Sequence, residues 1–485
     1  MFLGIDIGTS AVKAVMLEMS GGIIATASAP LAVDSPQPGW SEQHPEQWWK
    51  AVRDCADQLK CSHCKAWRHV RAIGLSGQMH GAVLLGADKQ PIRPAILWND
   101  GRSNAGCREL SRRLPKIGQL AGVPPMPGFT APKLLWLQKN EPDVHRKIAH
   151  ILLPKDYVRL KLTGELATDM ADAAGTMWLD QAKREWSGTL CSVSATDPAW
   201  LPTAFEGTAV SGQLSSSVAD DLGLPYGLPV AAGGGDAAAG AMGIGAIEDG
   251  DTFISLGTSG QLFVANDSYR PNPESAIHAY SHCVPERWFQ MAAMLNGASP
   301  MSWFAGMVGA DIVDLLAEAK DAGTDRVPLF LPYLTGERTP HNDAQIRGTF
   351  YGLEPGTTRG QMMRAIVDAI AYSFCDARDA LAAARTVIES PAAIGGGTRS
   401  EFVLQTMADA LGFAITRYAD AETGPALGAA RLAAVACDAQ TLSDVASKPE
   451  TDRIFEPNDA NSGRHIMRLT RYRDLYRVLK PFAHS

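Results

Sequence analysis

Two short apolar segments at the start of the chain are separated by small residues. Residues 2–7 and 11–17 are rich in aliphatic side chains, and Gly8, Thr9 and Ser10 lie between them. Two such runs joined by a short segment of small residues are typical of a β-hairpin. The pattern therefore predicts that the chain opens with a hairpin.

The same pattern returns near the middle of the chain. In residues 252–265, Gly257, Thr258 and Ser259 separate two β-rich runs, and Thr258 lies 249 residues after Thr9. Self-similarity at a fixed spacing indicates a repeated structural unit. We therefore expect two related halves.

Helical periodicity is clearest in the second half. Apolar side chains recur at helical spacing over residues 359–384, and a further helix is predicted at about Pro425–Ala439. Strands combined with long helices indicate an α/β fold with mixed sheets covered by helices. The glycine-rich and acidic segment around residue 247 is the predicted junction, which gives domains at 1–247 and 248–485 with a cleft between them.

Length and charge narrow the class of protein. The 485 residues exceed what one hydrophobic core usually serves, and 46% of them are hydrophobic. A formal net charge of −8 argues against a nucleic-acid-binding surface. No apolar run approaches the roughly 20 residues of a membrane span, and the chain starts without a secretory leader. We therefore expect a cytoplasmic protein that does not bind a membrane.

Three cysteines that lie close together in the sequence are candidate metal ligands. Cys55, Cys61 and Cys64 lie near His63 and His69, and Cys61 and Cys64 have a C-x-x-C spacing. Zinc would use such ligands, but a second pair at the usual spacing is missing. A surface turn with unconnected thiols is the alternative.

An aspartate follows three glycines in residues 228–245. A short strand is predicted to end at Gly233–Gly235, with Asp236 exposed just before an alanine-rich helix. A carboxylate at that place could take the proton of a hydroxyl that attacks phosphorus, and an ordinary ionised carboxylate suffices for this. Asp236 could equally be only a helix N-cap.

The two predicted hairpins have a chemical use if they face each other. Small-residue turns allow backbone N–H groups to converge on an anion, so two of them could hold an oligophosphate. Only the first hairpin carries a carboxylate, Asp6, which corresponds to Ser255 in the second and could hold Mg²⁺ or its water. Both units could instead be ordinary tight hairpins.

Two further glycine-rich loops are candidates for ligand contacts. Gly395–Gly397 precede an amphipathic helix and could lie against a nucleotide or simply allow close packing. No P-loop signature is present, and no dinucleotide-binding glycine motif follows the first strand. Gln78, Met79 and His80 lie in a glycine-flanked loop after a predicted strand, where they could contact a small molecule or serve structure alone.

Several motifs together resemble the FGGY family of carbohydrate kinases, within the actin, hexokinase and heat-shock ATPase superfamily. The motifs that carry the resemblance are GIDIGTSAVK, SGQMHG, PAILWNDGR, MPGFTAPKLLWL, LLPKDYVRLKLTGE, DMADAAGTMWLD, AAGGGDAAAGA, SLGTSG, FLPYLTGERTPH, GGGTRSE and GPALGAARLA. They extend from residue 1 to at least residue 432. The resemblance implies two ribonuclease-H-like domains, with sugar bound by the first and nucleotide by the second.

The resemblance also implies roles for individual residues. Asp236 would be the general base, Asp6 would organise Mg²⁺ and phosphate, and Met79 and His80 would line the sugar pocket beside Gln78. The residues expected around the phosphates and the nucleotide are Thr9, Ser10, Lys13, Gly257, Thr258, Ser259, Gly396, Gly397 and Ser400. ATP and Mg²⁺ are the expected cofactors, and a homodimer is the expected assembly.

The implied reaction is phosphorylation of a small ketose by ATP, with D-xylulose the first expectation. Ala237 follows Asp236 where related kinases usually have Asn, so a polar contact to the sugar is missing. L-xylulose, ribulose or a glycerol-like polyol are therefore alternatives. An actin-like or chaperone-like ATPase is the alternative from another class.

Overall fold

The protein is described by a computed structural model that covers residues 1–419 and 424–484. The strands are β1 (Phe2–Ile7), β2 (Ala11–Leu17), β3 (Ile23–Pro30), β4 (Glu42–Gln43), β5 (Ala72–Gly77), β6 (Val83–Leu85), β7 (Ala95–Ile96), β8 (His150–Leu152), β9 (Ala167–Asp169), β10 (Leu179–Asp180), β11 (Glu185–Trp186), β12 (Thr203–Phe205), β13 (Val210–Gln213), β14 (Pro229–Ala231), β15 (Gly234–Gly235), β16 (Thr252–Leu256), β17 (Gly260–Asn266), β18 (His278–Ser281), β19 (Trp288–Met294), β20 (Leu329–Leu331), β21 (Thr349–Tyr351), β22 (Ala392–Ile394), β23 (Ile415–Tyr418) and β24 (Thr451–Phe455).

The α-helices are α1 (Pro45–Ser62), α2 (Cys64–Trp67), α3 (Asn104–Arg113), α4 (Ile117–Ala121), α5 (Thr130–Asn140), α6 (Pro142–His145), α7 (Pro154–Thr163), α8 (Met170–Ala174), α9 (Gly188–Val193), α10 (Ser216–Leu222), α11 (Asp236–Gly243), α12 (Ser299–Val308), α13 (Ile312–Asp321), α14 (Arg359–Ala383), α15 (Glu401–Leu411), α16 (Gly424–Ala436), α17 (Leu442–Val445) and α18 (Asp459–Ala483). Short 3-10 helices lie at Pro198–Trp200, Pro273–Ser275 and Gly396–Arg399.

Each half of the chain is built around one large mixed sheet. The first sheet has the strand order β3-β2-β1-β5-β14-β13, and β15 also pairs with β5. The second has the order β18-β19-β17-β16-β22-β23-β24. Around β1 and around β16 the pattern is the same: an antiparallel hairpin partner on one side and a parallel partner on the other. The repeat predicted from the sequence is therefore present as a repeated sheet topology.

The predicted hairpins and the long helix of the second half are confirmed. Strands β1 and β2 pair with Asp6 opposite Lys13, β16 and β17 pair with Ser255 opposite Gln261, and α14 occupies the predicted range. The later helix α16 ends three residues before the predicted Ala439. Its end is set by Asp438, whose φ of 53° belongs to the left-handed region and cannot continue a helix.

Helix α16 comes from the second half of the chain but packs on the first sheet. A Cβ at Gly4 of β1 would lie 2.0 Å from the carbonyl oxygen of Ala426, and one at Gly74 of β5 would lie 1.8 Å from that of Ala429. Only glycine allows the helix backbone to approach the strands so closely. Helix α16 also packs against α11, so the two halves meet along this helix pair. The predicted boundary after Ile247 lies between α11 and β16 and stays a prediction.

The hypothesis of a cysteine metal site is wrong for the described residues. Cys55 is buried, with its thiol 3.6 Å from the carbonyl oxygen of Val12, whereas Cys61 and Cys64 are exposed. The described part of the chain contains one group of three potential metal-binding side chains, and it consists of aspartates elsewhere in the fold. None of the described helices has the length and hydropathy needed to cross a membrane.

Candidate active site

The ends of three parallel strands bring the predicted catalytic carboxylates to one edge of the first sheet. Asp6 of β1 lies beside Ser76 of β5, and Ser76 lies beside Gly234 of β15. Asp236 follows β15 directly, as the first residue of α11. Because parallel strands end at a common edge, Asp6 and Asp236 share the same rim of the sheet.

Asp236 is less exposed than the sequence predicted. Its side chain is half-buried, and Oδ1 accepts a hydrogen bond of 2.8 Å from the backbone N–H of Ala237. Burial raises the pKa of Asp236 to about 6. Gly235, not Asp236, occupies the N-cap position of α11, so the alternative that Asp236 serves as the N-cap is wrong.

Asp6 is a buried carboxylate with little compensation. Its exposed fraction is 8%, and its Oδ1 has no hydrogen-bond partner among the described residues. Burial and, second, the negative charge of Asp236 raise the pKa of Asp6 to about 7, while the ammonium group of Lys13 opposes the shift. The site therefore brings two carboxylates close together, and the charge of Lys13 offsets their repulsion only in part.

The two hairpin turns contain backbone N–H groups without a hydrogen-bond acceptor among the described residues. Among the described residues, the backbone N–H groups of Thr9, Ser10, Thr258 and Ser259 donate to no other residue. Ser10, Thr258 and Ser259 are also exposed. Free N–H groups in a tight turn are suited to binding an anion such as a phosphate.

Two neighbouring cavities lie beside Asp236, Lys13 and Thr258. The first, of about 440 Å³, is lined by Lys13, Asp236 and Ala237 from one half and by Ser255 and Gly396 from the other. The second, of about 580 Å³, shares Gly396 with the first. Its other lining residues are Gly257, Thr258, Ala298, Met301, Ser302, Ile312, Val313, Leu316, Ala317, Lys320, Gly397, Arg399, Ser400 and Phe402.

The second cavity has an apolar wall that sequence reasoning missed. Met301, Leu316 and Phe402 come from α12, α13 and α15, and their positions alone do not reveal a common cavity. Gly396 leaves open space, since a Cβ there would meet no atom within 4 Å. A flat apolar ring followed by a charged tail would fit the two cavities in sequence, with the tail towards Lys13.

Gln78 lies in a buried hydrogen-bond network instead of facing open space. Its amide group donates to the carbonyl oxygen of Gly8 at 3.3 Å and to the side chain of Gln43 at 3.0 Å. Its carbonyl oxygen accepts from the hydroxyl of Thr9 at 3.0 Å, and that hydroxyl accepts from the indole N–H of Trp98 at 2.9 Å. The network fixes the first hairpin turn, a role that the sequence did not reveal.

Met79 and His80 lie close to the strand end that carries Asp236. A Cβ at Gly235 would lie 2.8 Å from Cγ of Met79, so these two residues are in close contact. His80 donates from Nδ1 to the carbonyl oxygen of Gly175 at 2.7 Å, which leaves Nε2 as an acceptor. Burial lowers the pKa of His80, and its ring is therefore neutral.

A buried charged cluster supports this region from behind. The ammonium group of Lys155 lies 2.5 Å from Asp156, 2.6 Å from Asp169 and 3.2 Å from Asp172, with all four side chains fully buried. These aspartates are the three potential metal ligands noted above, and Lys155 supplies the positive charge between them. Arg159 donates to the carbonyl oxygens of Ala231 and Ala232 at 2.8 and 2.5 Å, just before the glycines that precede Asp236.

Comparison with known sequences decides the family. Residues 1–243 match the N-terminal domain of the FGGY family of carbohydrate kinases, and residues 252–437 match its C-terminal domain. The chain belongs to the FGGY family of carbohydrate kinases. This FGGY kinase is 42% identical over 484 residues to a protein named xylulose kinase from Escherichia coli K12, with 99% of each chain covered. It is 33% identical over 495 residues to a xylulose kinase from Lactococcus lactis, covering all of this chain and 98% of the relative.

Solved structures agree with this assignment. A structure described as a "xyloylose kinase" from Brucella ovis superposes on the FGGY kinase with a TM-score of 0.96 at 42% identity, covering 99% of both chains. A xylulose kinase from Rhodospirillum rubrum gives a TM-score of 0.93 at 29% identity, covering both chains completely. The predicted fold class, two ribonuclease-H-like domains of the actin-like ATPase type, is confirmed.

Proposed function

We propose that this FGGY kinase transfers the γ-phosphate of ATP to D-xylulose and releases D-xylulose 5-phosphate and ADP. The observation that carries the proposal is the half-buried carboxylate of Asp236, which lines the same cavity as Lys13 and is next to a second cavity lined by Thr258, a turn residue with an unpaired N–H group among the described residues. The 42% identity to relatives named xylulose kinase supports the choice of sugar.

In this proposal Asp236 is the general base. The sugar hydroxyl oxygen bonds to the γ-phosphorus as the bond from that phosphorus to the β,γ-bridging oxygen breaks, and ADP leaves with the electron pair of that bond. The hydroxyl proton passes to the Asp236 carboxylate and then to solvent. A pKa near 6 keeps Asp236 largely ionised at neutral pH while leaving it basic enough to accept the proton.

Nucleotide phosphates occupy the cavity next to Lys13, held by the turns at Thr9, Ser10, Thr258 and Ser259. The adenine ring then occupies the apolar cavity beside Phe402, with Gly257, Gly396, Gly397 and Ser400 along its polar side. Both cavities share Gly396, so one extended ligand can fill them together.

Asp6 is suited to organise a divalent cation. It is buried, its Oδ1 has no partner among the described residues, and the nearby Asp236 adds negative charge. Mg²⁺ prefers carboxylate oxygens and water, so the residues present fit the ion. When bound, Mg²⁺ would neutralise charge on the phosphates during transfer.

The sugar is placed between Asp236 and the loop that follows β5. Met79 packs against the strand end, and His80 offers Nε2 as an acceptor for a sugar hydroxyl. Because its amide group is already hydrogen-bonded to Gly8, Thr9 and Gln43, Gln78 acts on the sugar indirectly by holding the first turn. Cytoplasmic location and a homodimer stay predictions.

The test is ADP release from MgATP across D-xylulose, L-xylulose, D-ribulose, L-ribulose and glycerol, with product identification by mass spectrometry. We expect D-xylulose to give the highest kcat/KM and a product heavier by one phosphoryl group. A higher kcat/KM for another sugar would overturn the choice of substrate, and ADP release unaffected by any sugar would overturn kinase activity.

A further inference from the structure

Strand β18 carries two buried side chains with unused hydrogen-bonding atoms. His278 and Tyr280 are two residues apart and therefore lie on the same face of the strand, with ring centroids 5.5 Å apart. They are 2% and 1% exposed, yet Nδ1 of His278 and the hydroxyl of Tyr280 have no partner among the described residues. Such atoms destabilise a folded protein unless water or a ligand satisfies them.

Arg338 adds an unpaired positive charge near the same place. The side chains on either side of it are anchored: the carboxylate of Glu337 accepts from the N–H of Leu295 at 2.6 Å, and the hydroxyl of Thr339 donates to the carbonyl oxygen of Ala276 at 3.1 Å. The guanidinium group makes no hydrogen bond or ion pair with any described residue. Burial, in the first place, lowers the pKa of Arg338.

The charge of Arg338 acts on three groups around it. It lowers the pKa of His80 and of His278, although burial is the larger cause for both, and it opposes the effect of burial on the pKa of Tyr280. Thr339, the next residue, bonds to Ala276 two residues before His278, so Arg338 lies next to the start of β18, and its effects on His80 and Tyr280 agree with that position.

A chain of contacts relates these groups to the catalytic carboxylate. Met79 contacts the strand end before Asp236, and the neighbouring ring of His80 lies 4.5 Å from that of Phe129. Phe129 in turn meets His278 edge-on at 5.8 Å. Phe129 thus links His278, one of the residues with an unsatisfied atom, to the loop that carries Met79 and His80.

We propose that His278, Tyr280 and Arg338 form a distal subsite that binds the hydroxyl and carbonyl oxygens at the end of the sugar opposite the phosphorylated hydroxyl. This inference rests on the proposed function. The guanidinium group donates to the carbonyl and hydroxyl oxygens, and the Tyr280 hydroxyl donates to or accepts from a sugar hydroxyl. Because the subsite belongs to the second half and His80 to the first, a bound sugar is held by both halves.

The sharpest test is Tyr280→Phe, which removes only the unpartnered hydroxyl. If the hydroxyl has no function, the kinetics of Tyr280→Phe should equal those of the parent. The distal subsite predicts a KM for D-xylulose raised at least fivefold, with Tm equal to or above that of the parent and KM for MgATP within twofold. Arg338→Met should raise KM for D-xylulose at least tenfold, whereas the control Arg347→Met, an exposed arginine nearby, should leave it unchanged.

A second substrate identifies the end of the sugar that is bound. 1-Deoxy-D-xylulose lacks the hydroxyl at carbon 1, so the parent should prefer D-xylulose by kcat/KM, and Arg338→Met should reduce that preference at least fivefold. If KM stays within twofold of the parent in both Tyr280→Phe and Arg338→Met, or if Arg338→Met lowers kcat/KM equally for the two sugars, the distal subsite is refuted. A parent enzyme without sugar-stimulated ADP release would instead refute the proposed function.

Discussion

Asp6 and Asp236 lie on the same rim of the first sheet, on either side of the end of β5. The negative charge of Asp236 adds to the effect of burial in raising the pKa of Asp6 to about 7. Burial also raises the pKa of Asp236, to about 6. Both shifts fit the roles proposed for them: a base that can accept a proton near neutral pH and a carboxylate whose charge a cation would stabilise.

Asp6→Asn should stabilise the metal-free protein in a pH-dependent way. The pKa of Asp6 lies about three units above its ordinary value, so its ionisation costs the folded state up to about 4 kcal/mol. Near pH 4 Asp6 is protonated in the folded protein, so Asp6→Asn should change the free energy of unfolding little. The stabilisation relative to the parent should grow as Asp6 ionises and reach its full value by about pH 8. Urea unfolding in EDTA at pH 4.5, 6 and 8 measures it, and an equal gain at all three values would contradict the burial argument.

The pH dependence of catalysis should report Asp236. Because the ionised carboxylate is the base, kcat/KM for the sugar should fall about tenfold per pH unit below about pH 6. Initial rates at saturating MgATP between pH 5 and 8 measure the profile. A rate that stays constant down to pH 5 would show that no group with this pKa accepts the proton.

Gly396→Ala should affect nucleotide binding without harming the fold. A Cβ at this position meets no atom within 4 Å, so the substitution creates no clash, but it intrudes where the two cavities join. We expect Tm within about 2 °C of the parent and a KM for MgATP raised at least fivefold. Gly306→Ala, an equally unhindered position on the exposed side of α12, is the control and should leave KM unchanged. If Gly396→Ala had the same KM for MgATP as the control Gly306→Ala, the nucleotide would not bind where the two cavities join.

Ala237→Asn should alter discrimination between sugars. Ala237 lines the cavity beside Asp236, so an amide there can donate to a sugar hydroxyl. One added hydrogen bond is worth about 1 kcal/mol, which corresponds to a rise of about fivefold in kcat/KM for D-xylulose. The same sugar panel measures it, with KM for MgATP as the control. A lower value for every sugar would mean that the cavity has no room for the amide.

Sequence patterns predicted the framework well because hairpins and long helices are local. The alternation around Gly8–Ser10 and Gly257–Ser259 and the period of residues 359–384 depend on neighbours in the chain, and the structure has these elements where predicted. The packing of α16 on β1 and β5 could not be predicted, since Gly4 and Gly74 give no local sign of the helix that covers them.

In the candidate active site, too, the sequence predicted the residues with a local pattern and missed those brought together by the fold. Asp6 and Asp236 could be predicted because each stands at a local boundary: Asp6 lies near the end of β1, just before a turn of small residues, and Asp236 lies between the glycines of β15 and α11. Phe402 meets the other residues of its cavity only in the folded protein, and the same is true of Tyr280 and Arg338, so no spacing in the sequence reveals either group. Gln78 was correctly placed in the loop after β5, but its hydrogen-bond partners Gln43 and Thr9 decide that it supports the turn.

The most direct test of the account compares the parent with Asp236→Asn in sugar-stimulated ADP release. Both proteins should have the same Tm within a few degrees and bind MgATP with similar affinity, because the amide keeps the shape of the carboxyl group. We predict strong stimulation by D-xylulose in the parent and a turnover at least a thousandfold lower in the variant. Near-normal turnover by Asp236→Asn would contradict the assignment of Asp236 as the base on which the proposed mechanism depends.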